Sequence, residues 1–165
     1  MTRWFTADQH FGHENILDYC KRPFDRVGQM DRAIILKYRE VVKPEDTVYF
    51  LGDLTIKSPG YYGYISHIVE QLPGTKILVI GNHDKFDWMK YHEMGFQSVH
   101  TILDIGKYIL CHDPAFATYK DRNFLCGHTH TLFLKVRNCY NVGVDVNNFY
   151  PVSEEEVDKA FEIMS

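Results

Sequence analysis

The chain has 165 residues, 45% of them apolar and 24% charged, with a formal net charge of −4. This is the balance of one globular domain, 1–165, long enough to bury roughly two-thirds of its unfolded surface without staples. The acidic balance argues against a general nucleic-acid backbone binder, which is normally basic. No apolar stretch approaches a bilayer-spanning length. Met1-Thr2-Arg3 runs straight into an apolar segment without a signal-peptide pattern, so a cytoplasmic location is expected.

Taken in order, Trp4-Phe5-Thr6-Ala7 reads as a strand that ends in Asp8-Gln9-His10. Residues 14–19 predict a short helix whose N-terminus faces the preceding block and favours an anion. Pro23 ends it. Residues 28–38 predict an amphipathic helix carrying Met30, Ala33, Ile34, Leu36 and Tyr38. Val48-Tyr49-Phe50-Leu51 is the second strand and ends in Gly52-Asp53. Residues 61–72 predict a helix, stopped by Pro73-Gly74. Lys76-Ile77-Leu78-Val79-Ile80 is the third strand and ends in Gly81-Asn82-His83-Asp84. Strand and helix alternate up to this point, which is α/β logic with a largely parallel sheet.

The second half is richer in antiparallel signals. Residues 86–91 predict a short helix. Residues 99–105 and 107–111 flank Gly106 as a hairpin, whose second strand ends in His112. Phe124-Leu125-Cys126 ends in Gly127-His128-Thr129-His130. Residues 132–136 and 139–144 predict another strand pair. Ser153 with Glu156 makes a capping box, and Val157, Ala160, Phe161 and Met164 form the apolar stripe of a terminal helix. Cys20, Cys111, Cys126 and Cys139 have no CxxC spacing and read as thiols of a reducing compartment. The expected product is two packed sheets with outer helices.

Five apolar runs thus deliver Asp, Asn or His at their carboxyl ends, where open α/β sheets build their sites. The set is Asp8, His10, Asp53, Asn82, His112, His128 and His130, with His83 beside it. Carboxylate and imidazole together suit Mn, Fe, Co, Ni or Zn. Seven ligands exceed one tetrahedral zinc but fit two divalent ions sharing a carboxylate, the arrangement used for displacement at phosphorus.

The order Asp-x-His, Gly-Asp, Gly-Asn-His-Asp, His, Gly-His-x-His resembles the calcineurin-like metallophosphoesterases across residues 8–130. The phrase Asp8-Gln9-His10-Phe11-Gly12-His13-Glu14-Asn15-Ile16, followed by Arg22-Pro23-Phe24, resembles a compact bacterial and phage branch of that family. The resemblance implies a four-layer α/β/β/α sandwich of two mixed sheets flanked by helices. It implies Asp8, His10 and His130 on one ion, Asn82, His112 and His128 on the other, and Asp53 as the bridge. It implies a binuclear phosphoesterase in which a metal-bound hydroxide attacks phosphorus, with phosphodiesters as the leading substrates. A phosphomonoesterase and a non-enzymatic binding module retaining the fold are the alternatives.

His83 is the candidate proton donor to the leaving group. Asp84 either orients it or braces the turn. His13 is a candidate substrate contact or a polar helix cap. Arg22 is a candidate phosphate clamp or a partner for a surface carboxylate. Lys57 and Lys120 are further sources of positive charge. Some phosphatases of the wider family follow Gly-Asp with an Asp-Arg pair, whereas Gly52-Asp53 here continues as Leu54-Thr55-Ile56-Lys57. Tyr61 and Tyr62 could stack a base or pack their helix. The expected partner is a small phosphate ester or nucleotide-like substrate, not a membrane; a nucleic-acid end is permitted but not indicated by the charge. His67, His92 and His100 are read as surface or boundary residues.

Overall fold

The computed structural model describes residues 1–56, 59–119 and 121–162. Lys57, Lys120 and Met164 lie outside them, and with them the roles anticipated for those side chains. In chain order the elements are β1 (Arg3–Thr6), α1 (Ile16–Tyr19), α2 (Val27–Val41), β2 (Thr47–Phe50), α3 (Tyr62–Glu70), β3 (Thr75–Val79), α4 (Trp88–Glu93) and β4 (Phe96–His100). Then follow β5 (Ile102–Asp104), β6 (Tyr108–Cys111), β7 (Asn123–Cys126), β8 (Lys135–Val136), β9 (Cys139–Asn141), β10 (Val152–Ser153) and α5 (Glu154–Glu162).

The strands form two mixed five-stranded sheets, ordered β10-β1-β2-β3-β4 and β5-β6-β7-β9-β8. In the first, β1 to β4 are parallel and β10 closes one edge antiparallel. In the second, β6, β7 and β9 are parallel, and β5 and β8 close the edges antiparallel. Helices flank the pair, giving an α/β/β/α sandwich.

Strand periodicity divides the core. Val48, Phe50 and Leu78 face the helices, where they meet Met30, Ile34, Ile65, Ile68 and Tyr91. Phe5, Tyr49, Leu51 and Val79 face the second sheet and meet Tyr108, Leu110, Leu125 and Tyr140. Burial on both faces explains why the parallel strands read as continuous apolar runs instead of alternating ones. Helix α5 adds Val157, Ala160 and Phe161 to this inner layer, with Phe161 stacked on Tyr108. The outer face of the second sheet buries Ile109, Cys111, Phe124, Cys126 and Cys139, and a short 3-10 helix, Pro114–Phe116, touches β7 there.

Several boundaries differ from expectation. The run 99–105 is not one strand. It is cut at Thr101, with Val99 in β4 against β3 and Ile102 in β5 against β6. The chain changes sheets at that residue, which tethers the two sheets beside the site. Gly106, at φ +86°, turns the expected hairpin. Helix α4 starts two residues late because Asp87 accepts a hydrogen bond from Met89 N and caps it. Helix α1 has only four residues, and its first amides bond to the preceding turn, Ile16 N to His13 O at 3.3 Å and Leu17 N to Glu14 O at 3.1 Å. The pair at 132–144 shrinks to β8 and β9. The capping box does form: Ser153 Oγ accepts from Glu156 N, and the Glu156 carboxylate accepts from Ser153 N at 2.8 Å. No helix among the described residues is long and apolar enough to cross a membrane.

Candidate metal centre

Five ligand-type residues at strand ends hold left-handed backbone. Asp8, His10, Asp53, His128 and His130 have φ of 59°, 53°, 54°, 69° and 46°. Such conformations are uncommon for non-glycine residues and cluster at functional sites. They swing each side chain sharply off its strand toward a common point. Backbone bonds hold the bends: Asp8 N donates to Gly52 O, and His10 N to Asp53 O, both at 3.0 Å.

Glycines let these loops approach. A Cβ at Gly127 would lie 2.6 Å from Ala7 Cβ and 2.8 Å from Asp8 Oδ2. A Cβ at Gly81 would collide with the Asp53 carboxylate. The glycines flanking the ligand residues are therefore space for the ligands, not only turn formers.

Two groups of ligand atoms result, each with its atoms within 4.8 Å of one another: Asp8, His10 and His130, and Asp53, His112 and His128. Asn82 joins the second group, its Oδ1 lying 2.9 Å from His112 Nε2 and 3.0 Å from His128 Nδ1. Asp53 Oδ2 lies between the groups, 3.7 Å from His10 Nε2 and 3.3 Å from His112 Nε2. Ligands about 2 Å from a shared ion sit about 3 Å apart, so these spacings suit cations between them.

The donor set passes a separate test. Both ring nitrogens of buried His10 have no hydrogen-bond partner among the described residues. Burial drives its pKa down to about 2, so the ring is neutral and its lone pair is available. An orphaned buried imidazole is costly unless it binds something. The residues present fit two divalent ions.

Electrostatics agree. Burial alone would lower His112, but its bond to Asp53 and that carboxylate's charge raise it to about 9. Burial likewise opposes protonation of His130, and its bond to Asp145 prevails, raising it to about 10. Burial pushes Asp8 up to about 6, while Asp53 is held near 2 because the His112 bond and charge outweigh burial. The carboxylates Asp53 and Asp145 thus make the pocket favour positive charge.

The remaining candidates separate. The exposed His83 has its ring 5.8 Å from that of His10, and its backbone N donates to Asp53 Oδ1 at 2.9 Å. Asp84 does not reach toward His83. Its oxygens accept from Asp53 N, Gly81 N and Leu54 N at 2.8, 2.8 and 3.0 Å, so of its two anticipated roles the geometry carries the brace. Burial raises its pKa to about 7. His13 is buried behind His10, ring centroids 5.4 Å apart.

Arg22 is turned inward. It forms a fork on Asp145 at 2.8 Å through Nε and Nη2, and donates to the carbonyls of Asp8 and Gln9 at 2.7 and 2.9 Å. Its partner is a carboxylate, but a buried one instead of the surface carboxylate expected, and the guanidinium is turned away from solvent. Tyr62 packs on Phe86 and bonds Glu93, so its expected helix-packing role is the one its position serves. His67, His92 and His100 lie beside Glu70, Phe96 O and Ser98, away from the centre.

Two contributors escaped sequence reading. Asp145 holds His130 Nδ1 at 2.8 Å while paired with Arg22. The signal was present: Val142-Gly143-Val144 is another apolar run ending in Asp. Asn141, fully buried, donates to the carbonyls of His130 and Phe133 at 3.0 Å and shapes the Gly-His-Thr-His loop. Cys20, read from the sequence only as a thiol of a reducing compartment, lies with His130 and Asp145 in a third group within 4.8 Å.

Comparisons with known proteins follow the same pattern. Residues 1–163 match the family model described as calcineurin-like phosphoesterase. An uncharacterized protein of Methanocaldococcus jannaschii is 33% identical over 96% of this chain and 90% of its own length. The gene 66 protein of Mycobacterium phage L5 is 33% identical over 49% of this chain and 39% of its own length. A protein of unknown function from Aquifex aeolicus superposes with a TM-score of 0.74 at 30% identity, covering 96% of this chain and 98% of that one. The Pseudomonas putida nuclease MPE shares the fold at a TM-score of 0.54 and 18% identity, over 78% of this chain and 61% of that one. With two ligand groups at the carboxyl ends of its strands and a family match over nearly its whole length, the chain belongs to the calcineurin-like phosphoesterase family.

Proposed function

We propose that this protein hydrolyses phosphodiesters at a binuclear metal centre. The observation that carries the reading is Asp53, whose single oxygen lies 3.7 Å from His10 and 3.3 Å from His112, between two complete ligand groups. Asp8, His10 and His130 would hold one divalent ion, Asn82, His112 and His128 the other, and Asp53 both. When bound, such ions polarise phosphoryl oxygens and lower the pKa of bound water.

The chain's own residues do the rest. The left-handed bends pre-position the ligands, which limits reorganisation during reaction. His83 stands on the solvent side of His10 and, as an imidazolium, donates a proton to the departing oxygen. Asp84 keeps the Gly81 and Asp53 backbones in place beneath it. The inward turn of Arg22 favours a diester, because it removes the fork best suited to a dianionic monoester. The presence of every ligand together with His83 argues against a bare binding module.

The test is metal-stripped protein reloaded separately with Mn, Ni, Co, Zn or Mg, offered aryl phosphodiester and phosphomonoester substrates. Diester turnover is expected. Asp53→Asn should lose turnover and bind fewer than two ions. His83→Ala should keep both ions and lose about 10²- to 10⁴-fold in kcat. Monoester turnover alone would overturn the diester reading. Two bound ions without turnover of either ester would overturn the enzymatic one.

A further inference from the structure

A cleft of about 430 Å³ opens beside the metal-ligand residues. Asn82, His112 and His128 form part of its lining, so it is continuous with the candidate centre. The rest is mainly apolar and includes Ile80, Ile102 and Phe116. Ile102 and Phe116 are 46% and 56% exposed. Neither belongs to any of the three buried clusters. Large apolar side chains exposed around a concave site, with a few polar groups at one end, are the usual make-up of a small-ligand pocket.

Two observations narrow the occupant. Asp113 is the acidic residue of the lining, its carboxylate accepting a hydrogen bond from Ala115 N at 2.8 Å, and no Lys or Arg is among the described residues that line the cleft. With no cationic fork beyond the metal-ligand residues, the cleft offers little to hold the neighbouring phosphate of a longer chain. The cleft also borders the Asn82, His112 and His128 side, whereas the His83 ring lies against His10 of the other group. A group expelled toward His83 is therefore not the group seated here.

The geometry points to a binding site for an uncharged aromatic ring carried by the ester substituent that stays on phosphorus. This deepens the diesterase reading and rests on it, since a monoester has no second organic group to place. An aryl ring and a nucleobase share the required chemistry.

The test measures binding and turnover separately on metal-loaded protein. Calorimetry compares dimethyl phosphate, diphenyl phosphate and thymidine 5′-methyl phosphate. At least one ring-bearing ester should bind about 10-fold tighter than dimethyl phosphate, and which one does so separates the aryl source from the nucleobase source. Phe116→Ala and Ile102→Ser should each cut that advantage to about threefold or less. Equal affinities in the parent protein, or an advantage that survives both substitutions, would overturn the proposal. With p-nitrophenolate as the common leaving group, kcat/KM for the phenyl ester should exceed that for the methyl ester by a similar factor. A ring that binds but leaves kcat/KM no higher would overturn its assignment to the retained substituent. A ring preference in binding that both substitutions abolish, without hydrolysis of any diester, would sink the diesterase function while supporting the aromatic site.

Discussion

Asp145 shows how one residue can govern the centre without belonging to the ligand set drawn from the motifs. It fixes the orientation of His130 through Nδ1 and is itself held by the Arg22 fork, which also ties down the Asp8 carbonyl. A carboxylate behind a ligand imidazole sets its tautomer and strengthens it as a donor. Asp145→Asn is expected to weaken metal affinity about 10- to 100-fold, read by calorimetry. The parent's circular dichroism should be retained. Unchanged affinity would assign Asp145 to Arg22 alone. The motif grammar found His130 because ligand-type residues recur at strand ends. It passed over Asp145, because nothing local in the chain says that residues 22, 130 and 145 meet.

At the scale of elements, the glycines at the strand ends mark close approaches between loops and strands. Gly127 lies so near β1 that any side chain must displace Ala7 or the Asp8 carboxylate. Gly127→Ala is expected to cost about 1–3 kcal/mol through overpacking. Urea denaturation of the metal-free protein would measure it, and a loss near zero would show that the two sheets can separate locally. The strand expected at 99–105 fails at this scale too. Apolar periodicity runs through Thr101 uninterrupted, but the chain leaves one sheet and enters the other there. Which sheet a strand joins is a matter of partners, not of its own pattern.

For the whole molecule, the centre is a concentration of coupled charge. His112 and His130 are raised to about 9 and 10 by their carboxylates, so both carry protons at pH 7 without metal. A cation must displace those protons. Metal loading at pH 7 should release about two protons, measurable by calorimetry in buffers of different ionisation enthalpy. Apparent affinity should rise with pH until about 9 to 10. The sign for stability is opposite. A histidine whose pKa is raised on folding contributes fully below about 6.5 and loses that contribution as pH rises through its folded value. The metal-free protein should therefore lose stability between pH 6.5 and 10. A flat or rising melting temperature across that range would refute the assigned pairings.

Much of this protein was determined by its chain alone. Continuous apolar runs and the helical stripes between them set the α/β architecture, and the residues that end those runs supply the ligand-type side chains. These are local properties, written in periodicity and in the side chains that follow each strand. Tertiary structure alone decided the rest: that Arg22 faces inward, that Asp84 braces a turn, that Asp145 and Cys20 flank His130, and that an apolar cleft adjoins His112. Each of those depends on residues far apart in sequence being brought to within a few ångströms, and on where the packed layers leave room.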